Sequence, residues 1–177
     1  MTCIIAARAN DGTIVVGADG IGIDRSTMAR RVTSTKIHRY SDLCLVGVAG
    51  SMRLMQLITK HVDESFVDMK DPTAAFIARL AEVIRVHDAS LADSAVLLVV
   101  DGQISVIDAD LAWTPDQDGI AAIGIGADIA VGYMLALRRY CPDLDMRHGV
   151  LRALEASASC NASVGPPFTV EVTRSAP

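Results

Sequence analysis

Hydrophobic positions along the chain fall into short blocks with two different periods. Residues 2–9 and 13–18 are nearly continuous apolar runs joined by Asn10-Asp11-Gly12, a hairpin signal. Lys36-Ile37-His38-Arg39-Tyr40 alternates, and after Ser41-Asp42 residues 43–49 are apolar on both faces. That pattern predicts a second hairpin whose later strand is central. Residues 20–35, rich in Gly, Arg, Ser and Thr, read as an irregular excursion. Ser51 can cap a first helix, and Asp71-Pro72 opens a second, with Pro at its first position. In that helix Ile77, Leu80, Ala81 and Ile84 form one stripe at helical spacing. Residues 95–100 and 104–109 read as strands turned by Asp101-Gly102, followed by a short strand at 120–123. Ala130, Tyr133, Met134 and Leu137 repeat the helical stripe, a last helix covers roughly 145–159, and residues 167–173 close as a strand.

Strands and helices are therefore grouped rather than alternating, which excludes a doubly wound parallel sheet. The pattern predicts an α+β fold: a four-layer α-β-β-α sandwich of two mainly antiparallel sheets, each covered by a helix pair. No repeat or linker divides residues 1–177, so the expectation is one domain with a frayed tail at 175–177.

Composition narrows the function. The chain is 51% apolar and only 4% aromatic, with 16 Lys+Arg against 21 Asp+Glu and a net charge of −5. No basic stripe exceeds Arg30-Arg31, so nucleic acid is not an expected partner. Residues 119–137 carry a single charge, Asp128, but the glycines in Gly124-Ile125-Gly126 read as a strand-to-helix turn, not a membrane span. Cys3, Cys44, Cys141 and Cys160 are widely spaced, and the four histidines show no H-E-x-x-H pattern. Reduced cytoplasmic thiols, no metal and no cofactor are expected. The N-terminus shows no charged leader. Three weak signals are set aside. Ile129 stands where a dinucleotide fingerprint needs a third small residue. Asp108, Asp110, Asp116 and Asp118 read as a solvated loop, and Arg138-Arg139 as cations at a helix C-terminus.

One constellation carries chemistry. Thr2 is small enough for an initiator Met to be removed, which would put an α-amine and a hydroxyl on one residue at the head of an apolar strand. A Thr hydroxyl needs an adjacent base, and an α-amine with a reference pKa of about 7.7–8.0 suits that task. Taken alone, Thr2 is an ordinary second residue. Asp19, however, ends a buried strand and requires a partner, for which Lys36 is the candidate. A buried Lys36 beside Thr2 would disfavour protonation of the amine and stabilise an alkoxide. The turn Val48-Ala49-Gly50-Ser51, at a helix start, offers outward N–H groups for an oxyanion.

In order and spacing these features resemble the proteasome β-subunit group, including its HslV-like members: Thr2 on a first strand, Gly17-Ala18-Asp19-Gly20 closing the second, Lys36, then Val46-Gly47-Val48-Ala49-Gly50 into a helix. The similarity continues through residues 120–126 into the next helix and is densest over residues 2–55. It implies an N-terminal nucleophile hydrolase, a threonine-type peptidase acting through an acyl ester. Thr2 would be nucleophile and base, Asp19 would orient Lys36, and the Gly50 N–H would bind the oxyanion. Val48 and Met52 would wall the substrate pocket, with Asn161 and Ser163 as loosely matched supporting groups. It also implies peptide or unfolded-protein substrates, a homo-oligomer stacked as a ring or helix, and an ATP-dependent unfoldase as partner. No docking motif marks that partner.

Two departures stand out. Ile125 replaces the serine of the group's Gly-Ser-Gly and can neither donate nor accept, and Asn161 replaces an acidic residue. They motivate a rival, a silent assembly or binding protein of the same fold. A second rival is an amidase for a small amide, and a variant would expose Cys3 by further trimming.

Overall fold

The computed structural model describes residues 2–23, 29–31 and 35–174, with backbone only for Ile23 and residues 29–31. Met1 and residues 175–177, on which removal and fraying were expected, lie outside the described residues. The elements run β1 (Ile4–Arg8), β2 (Ile14–Ala18), β3 (Ile21–Ile23), β4 (Ala29–Arg31), β5 (Ile37–Ser41), β6 (Cys44–Ala49), α1 (Met52–His61), α2 (Pro72–His87), β7 (Ala95–Val100), β8 (Gln103–Ile107), β9 (Trp113–Pro115), β10 (Ile120–Ile123), α3 (Ala127–Tyr140), α4 (Met146–Cys160) and β11 (Thr169–Val172).

Two antiparallel sheets carry the fold, in strand orders β10-β1-β2-β11 and β5-β6-β7-β8-β9. Strand alternation sorts the apolar residues into three layers of core. On β1, Ile4 and Ala6 meet the second sheet, whose β6 and β7 supply Leu45, Ala49, Leu97 and Val99. Ile5 and Ala7, with Cys3 just before the strand, face α3 and α4, which bring Ala130, Met134, Val150 and Leu154. Cys44, Val46 and Val48 of β6 turn outward onto α1 and α2, against Leu54, Ile58, Phe76 and Leu80. Both faces of β6 are covered, which is why all six of its residues are buried. This is the α-β-β-α sandwich expected from the pattern.

The predicted caps are in place. Ser51 Oγ accepts from Leu54 N at 3.3 Å, and Asp71 Oδ1 accepts from Ala74 N at 2.9 Å with Pro72 at the first turn. Several details differ from expectation. Part of the excursion is ordered pairing, Ile21–Ile23 against Ala29–Arg31. β9 consists of three exposed residues ending in Pro, which leave no alternation to predict a strand from. On α2 the buried line is Thr73, Phe76, Leu80 and Val83, with Ile77 and Ile84 at its edge. Phe76 sets that rotation by stacking edge-on with Phe66 at 5.2 Å between ring centroids. On α3 only Ala130 and Met134 are buried, while Tyr133 and Leu135 are exposed. No described helix is long and apolar enough to cross a membrane.

Candidate active site

β1 and β2 pair antiparallel with Ile4 opposite Ala18, so the residues entering β1 lie beside those leaving β2. Thr2 and Asp19 thereby become neighbours in space. The Asp19 N–H donates to the Cys3 carbonyl at 3.1 Å, and the Cys3 N–H donates back to Asp19 Oδ1 at 2.9 Å. The other carboxylate oxygen accepts from the Ile21 N–H at 3.1 Å. Lys36 arrives from the other sheet, at the residue before β5, where its carbonyl accepts from the Val48 N–H.

The Lys36 ammonium closes the centre. Nζ donates to Asp19 Oδ1 at 2.7 Å, to the Ile21 carbonyl at 2.6 Å, and to Thr2 Oγ1. Thr2, Asp19 and Lys36 are 3%, 3% and 4% exposed. Burying such a pair costs several kcal/mol per ion unless every polar atom is engaged. Here an ammonium with three N–H groups meets three acceptors, and both carboxylate oxygens are taken. Burial draws the Lys36 pKa below its usual 10.5, opposed by the hydrogen bond and the charge of Asp19. The arrangement has a chemical consequence. Because Lys36 spends a proton on Thr2 Oγ1, it acts there as a donor. The hydroxyl proton must leave toward another base.

Thr2 is held from the other side by residues 124–126. Gly124 has φ +93°, and a Cβ there would lie 2.2 Å from the Thr2 carbonyl oxygen, so only glycine fits. The Gly126 N–H donates to that same carbonyl at 3.3 Å. Behind it the buried Ser157 hydroxyl donates to the Gly126 carbonyl at 3.0 Å and lies 3.7 Å from the Cys3 sulfur. Sequence reasoning passed over Ser157, because one Ser among Ala and Ser on a helix carries no distinguishing signal.

Gly50 lies across a cleft of about 480 Å³ that Thr2 also lines. Its φ of +108° and the 2.5 Å that would separate a Cβ from the Asp93 carbonyl and Ser94 Oγ again admit only glycine. Ser94 Oγ accepts from Ser51 N at 3.1 Å, tying the start of α1 to the loop before β7. Ile125, 52% exposed, forms another wall of the cleft, as do Asp93 and Asp108. The carboxylate residue Asp108, read from sequence as part of a solvated loop, is thus exposed at the cleft, because the turn after β8 opens beside β7.

The remaining sequence candidates are placed differently. Val48 packs in the core against α1 and α2, and Met52 is half-buried at the start of α1; neither lines the Thr2 cleft. Asn161 ends α4 with its Oδ1 accepting from the Ser163 N–H at 3.0 Å, an oxygen engaged in a local turn. Cys3 is fully buried, and that burial pushes its thiol up to about 11, opposite to what a nucleophilic thiol needs.

Comparison with known proteins adds to this geometry. No protein-family model matches the chain. The ATP-dependent protease subunit HslV of Lacticaseibacillus casei is 27% identical over 161 residues, covering 81% of this chain and 83% of that protein. HslV of Trypanosoma brucei brucei is 29% identical over 145 residues, 77% of this chain and 66% of that protein. Among solved structures, Thiobacillus denitrificans BPH superposes with TM-score 0.78 at 21% identity, covering 99% of both chains. The same protein in complex with epoxomicin gives 0.79. The crystal structure of Trypanosoma brucei HslV gives 0.78 over 97% of this chain and 99% of that one.

Proposed function

From the premise that the chain is of the HslV-like, proteasome β-type group, we propose that it is a threonine-type peptidase subunit. In this reading residues 1–177 act as one unit, Met1 is removed, and the subunits assemble as a homo-oligomer in the cytoplasm. The observation that carries the proposal is the Lys36 ammonium bonded at once to Thr2 Oγ1 and Asp19.

The chemistry follows from that bond. The Thr2 hydroxyl proton passes to the Thr2 α-amine while its oxygen attacks the substrate carbonyl. Lys36 stabilises the developing alkoxide, and Asp19 holds Lys36 in place. Negative charge moving onto the substrate oxygen meets the Gly50 N–H at the start of α1. Collapse breaks the C–N bond, the protonated Thr2 amine returns its proton to the leaving amine, and an ester on Thr2 remains. Water, deprotonated by the same amine, attacks the ester and releases the acid. Peptides or unfolded proteins are the substrates, and an ATP-driven unfoldase is the partner, in keeping with the description of the HslV relatives as ATP-dependent protease subunits.

Ile125 favours a second reading, an assembly subunit without turnover, because an apolar side chain stands at the cleft where a hydroxyl would help position the amine. Steady-state hydrolysis of fluorogenic peptides separates the two. Wild type should cleave them, Thr2→Ser should keep measurable activity, and Thr2→Ala should lose it by at least about a thousandfold. Turnover that survives Thr2→Ala, or its absence from wild type, would overturn the peptidase reading. Cleavage of simple amides but not peptides would reassign the substrate.

A further inference from the structure

The register of the second sheet sets one row of residues along the Thr2 cleft. β6 and β7 pair with Ala49 opposite Ala95, and β7 and β8 with Val96 opposite Ile107. Pairing persists one residue past β8, where the Asp108 N–H donates to the Ala112 carbonyl at 2.9 Å. Asp108 therefore falls opposite Ala95. Alternation decides which way it faces. Ile104 and Val106 of β8 pack between the sheets with Ala49 and Ala95, whereas Ile107 turns onto α1 and α2. Two residues after Val106, Asp108 shares the inner face. That face meets β1, since a Cβ on Gly47 would lie 3.0 Å from the Ile4 side chain. Ala49 and Thr2, each two residues further along its own chain segment, line one cleft together with Ala95 and Asp108.

The carboxylate at the end of this row is unspent. The turn after β8 uses only the backbone of Asp108, whose carbonyl accepts from the Leu111 N–H at 3.0 Å. Among the described residues its exposed side chain has no hydrogen-bond or ion-pair partner. Asp93, also exposed, adds a second acid to the rim, and none of the described residues lining the cleft is Lys or Arg. Lys36 is occupied by Thr2, Asp19 and Ile21. Two acids on a surface would mark nothing by themselves. The Thr2–Lys36 contact in the same cleft makes them groups that a bound substrate meets. Two strand spacings put Asp108 about 10 Å from Ala49, within reach of a long side chain one or two residues from a carbonyl held at Thr2. Unneutralised carboxylates there attract a cationic side chain and repel an acidic one.

We infer that the cleft selects peptides carrying Arg or Lys within two residues of the cleaved bond, with Asp108 setting the preference. The inference rests on the peptidase reading of Thr2. Its test uses otherwise neutral fluorogenic peptides with Arg, its uncharged isostere citrulline, or Glu at the first or second residue before the reporter. Two quantities would be read at low salt: kcat/KM in wild type, and binding by fluorescence anisotropy in Thr2→Ala. Arg should exceed citrulline by about threefold or more in both, as for a charge pair at an exposed rim, and Glu should rank last. Added salt should shrink the ratio. Asp108→Asn should bring it toward one, and Asp108→Lys should raise Glu relative to Arg. Ratios near one in wild type, ratios indifferent to Asp108→Asn, or no binding up to millimolar peptide would overturn the inference. Turnover without charge preference would do so while leaving the peptidase reading standing. An Arg preference in binding with no turnover of any peptide would overturn the peptidase reading alone.

Discussion

Lys36→Met removes the charge at the centre of the site while keeping an unbranched side chain of similar length. It leaves the Asp19 carboxylate, 0% exposed, with only the Cys3 and Ile21 N–H groups as donors. Breaking a buried pair from one side costs about 3–5 kcal/mol, since the remaining ion stays uncompensated. Two retained backbone bonds place this case near the lower end, at about 3 kcal/mol. A domain holding about 5–15 kcal/mol would lose a large share of its stability. With a urea slope of about 1–3 kcal/mol per M, the unfolding midpoint should fall by about 1 M or more. Protein concentration must be fixed, because assembly adds to apparent stability. Adding Asp19→Asn to Lys36→Met removes the orphaned charge and should restore part of the loss. A Lys36→Met midpoint within about 0.3 M of wild type would refute the reasoning. So would a double variant as unstable as the sum of the two single ones.

Other outcomes follow from the same geometry. Gly124→Ala should cost about 2 kcal/mol or more and abolish peptide cleavage, because the new Cβ meets the Thr2 carbonyl at 2.2 Å with φ at +93°. Gly132→Ala, with nothing within 4 Å, should be neutral or stabilising by up to about 1 kcal/mol in the same denaturation assay. Ile125→Ser should leave stability within about 0.5 kcal/mol, as an exposed substitution, and raise kcat several-fold by giving the Thr2 amine a partner. The kcat/KM profile should be bell-shaped. In the proposed mechanism the Thr2 amine must be neutral, so activity should rise with pH as that amine loses its proton, at a pH held down by the neighbouring ammonium. It also requires a protonated Lys36, whose pKa is lowered by burial, so it falls again with rising pH before the ordinary lysine value of 10.5 is reached. Lys36→Arg, which keeps the charge at high pH, should weaken that alkaline limb relative to the acid one.

The layers of this fold were legible because burial on both faces of a strand demands continuous apolar sequence, as in β6, and because Ser51, Asp71 and Pro72 announce helix starts through local hydrogen bonding. What stayed hidden depends on partners distant in the chain. The rotation of α2 is set by Phe66 against Phe76, a contact that helical spacing within one segment does not encode. Asp19 and Lys36 were recognisable as a candidate pair, since a carboxylate ending a buried strand needs a cation or hydrogen-bond donors beside it. The third acceptor of that cation, the Ile21 carbonyl, exists only once the chain turns into β3. Ser157 and the cleft residues Asp93, Ser94 and Asp108 reach the site through α4 and through loops of the second sheet. Their residue types are common on surfaces and gave no warning. Val48 shows the reverse limit. Its position in the motif suggested a pocket wall, yet strand alternation turns its side chain into the core beneath α1 and α2.

In the proposed mechanism one residue, Thr2, supplies both the attacking oxygen and the base. Intact-mass and peptide mass spectrometry of the native protein, before and after exposure to epoxomicin, addresses it most directly. The account predicts a polypeptide beginning at Thr2, quantitative single modification confined to that residue, and slower modification in Lys36→Met. A chain that retains Met1 and takes up no inhibitor, or one modified elsewhere with Thr2 untouched, would contradict it.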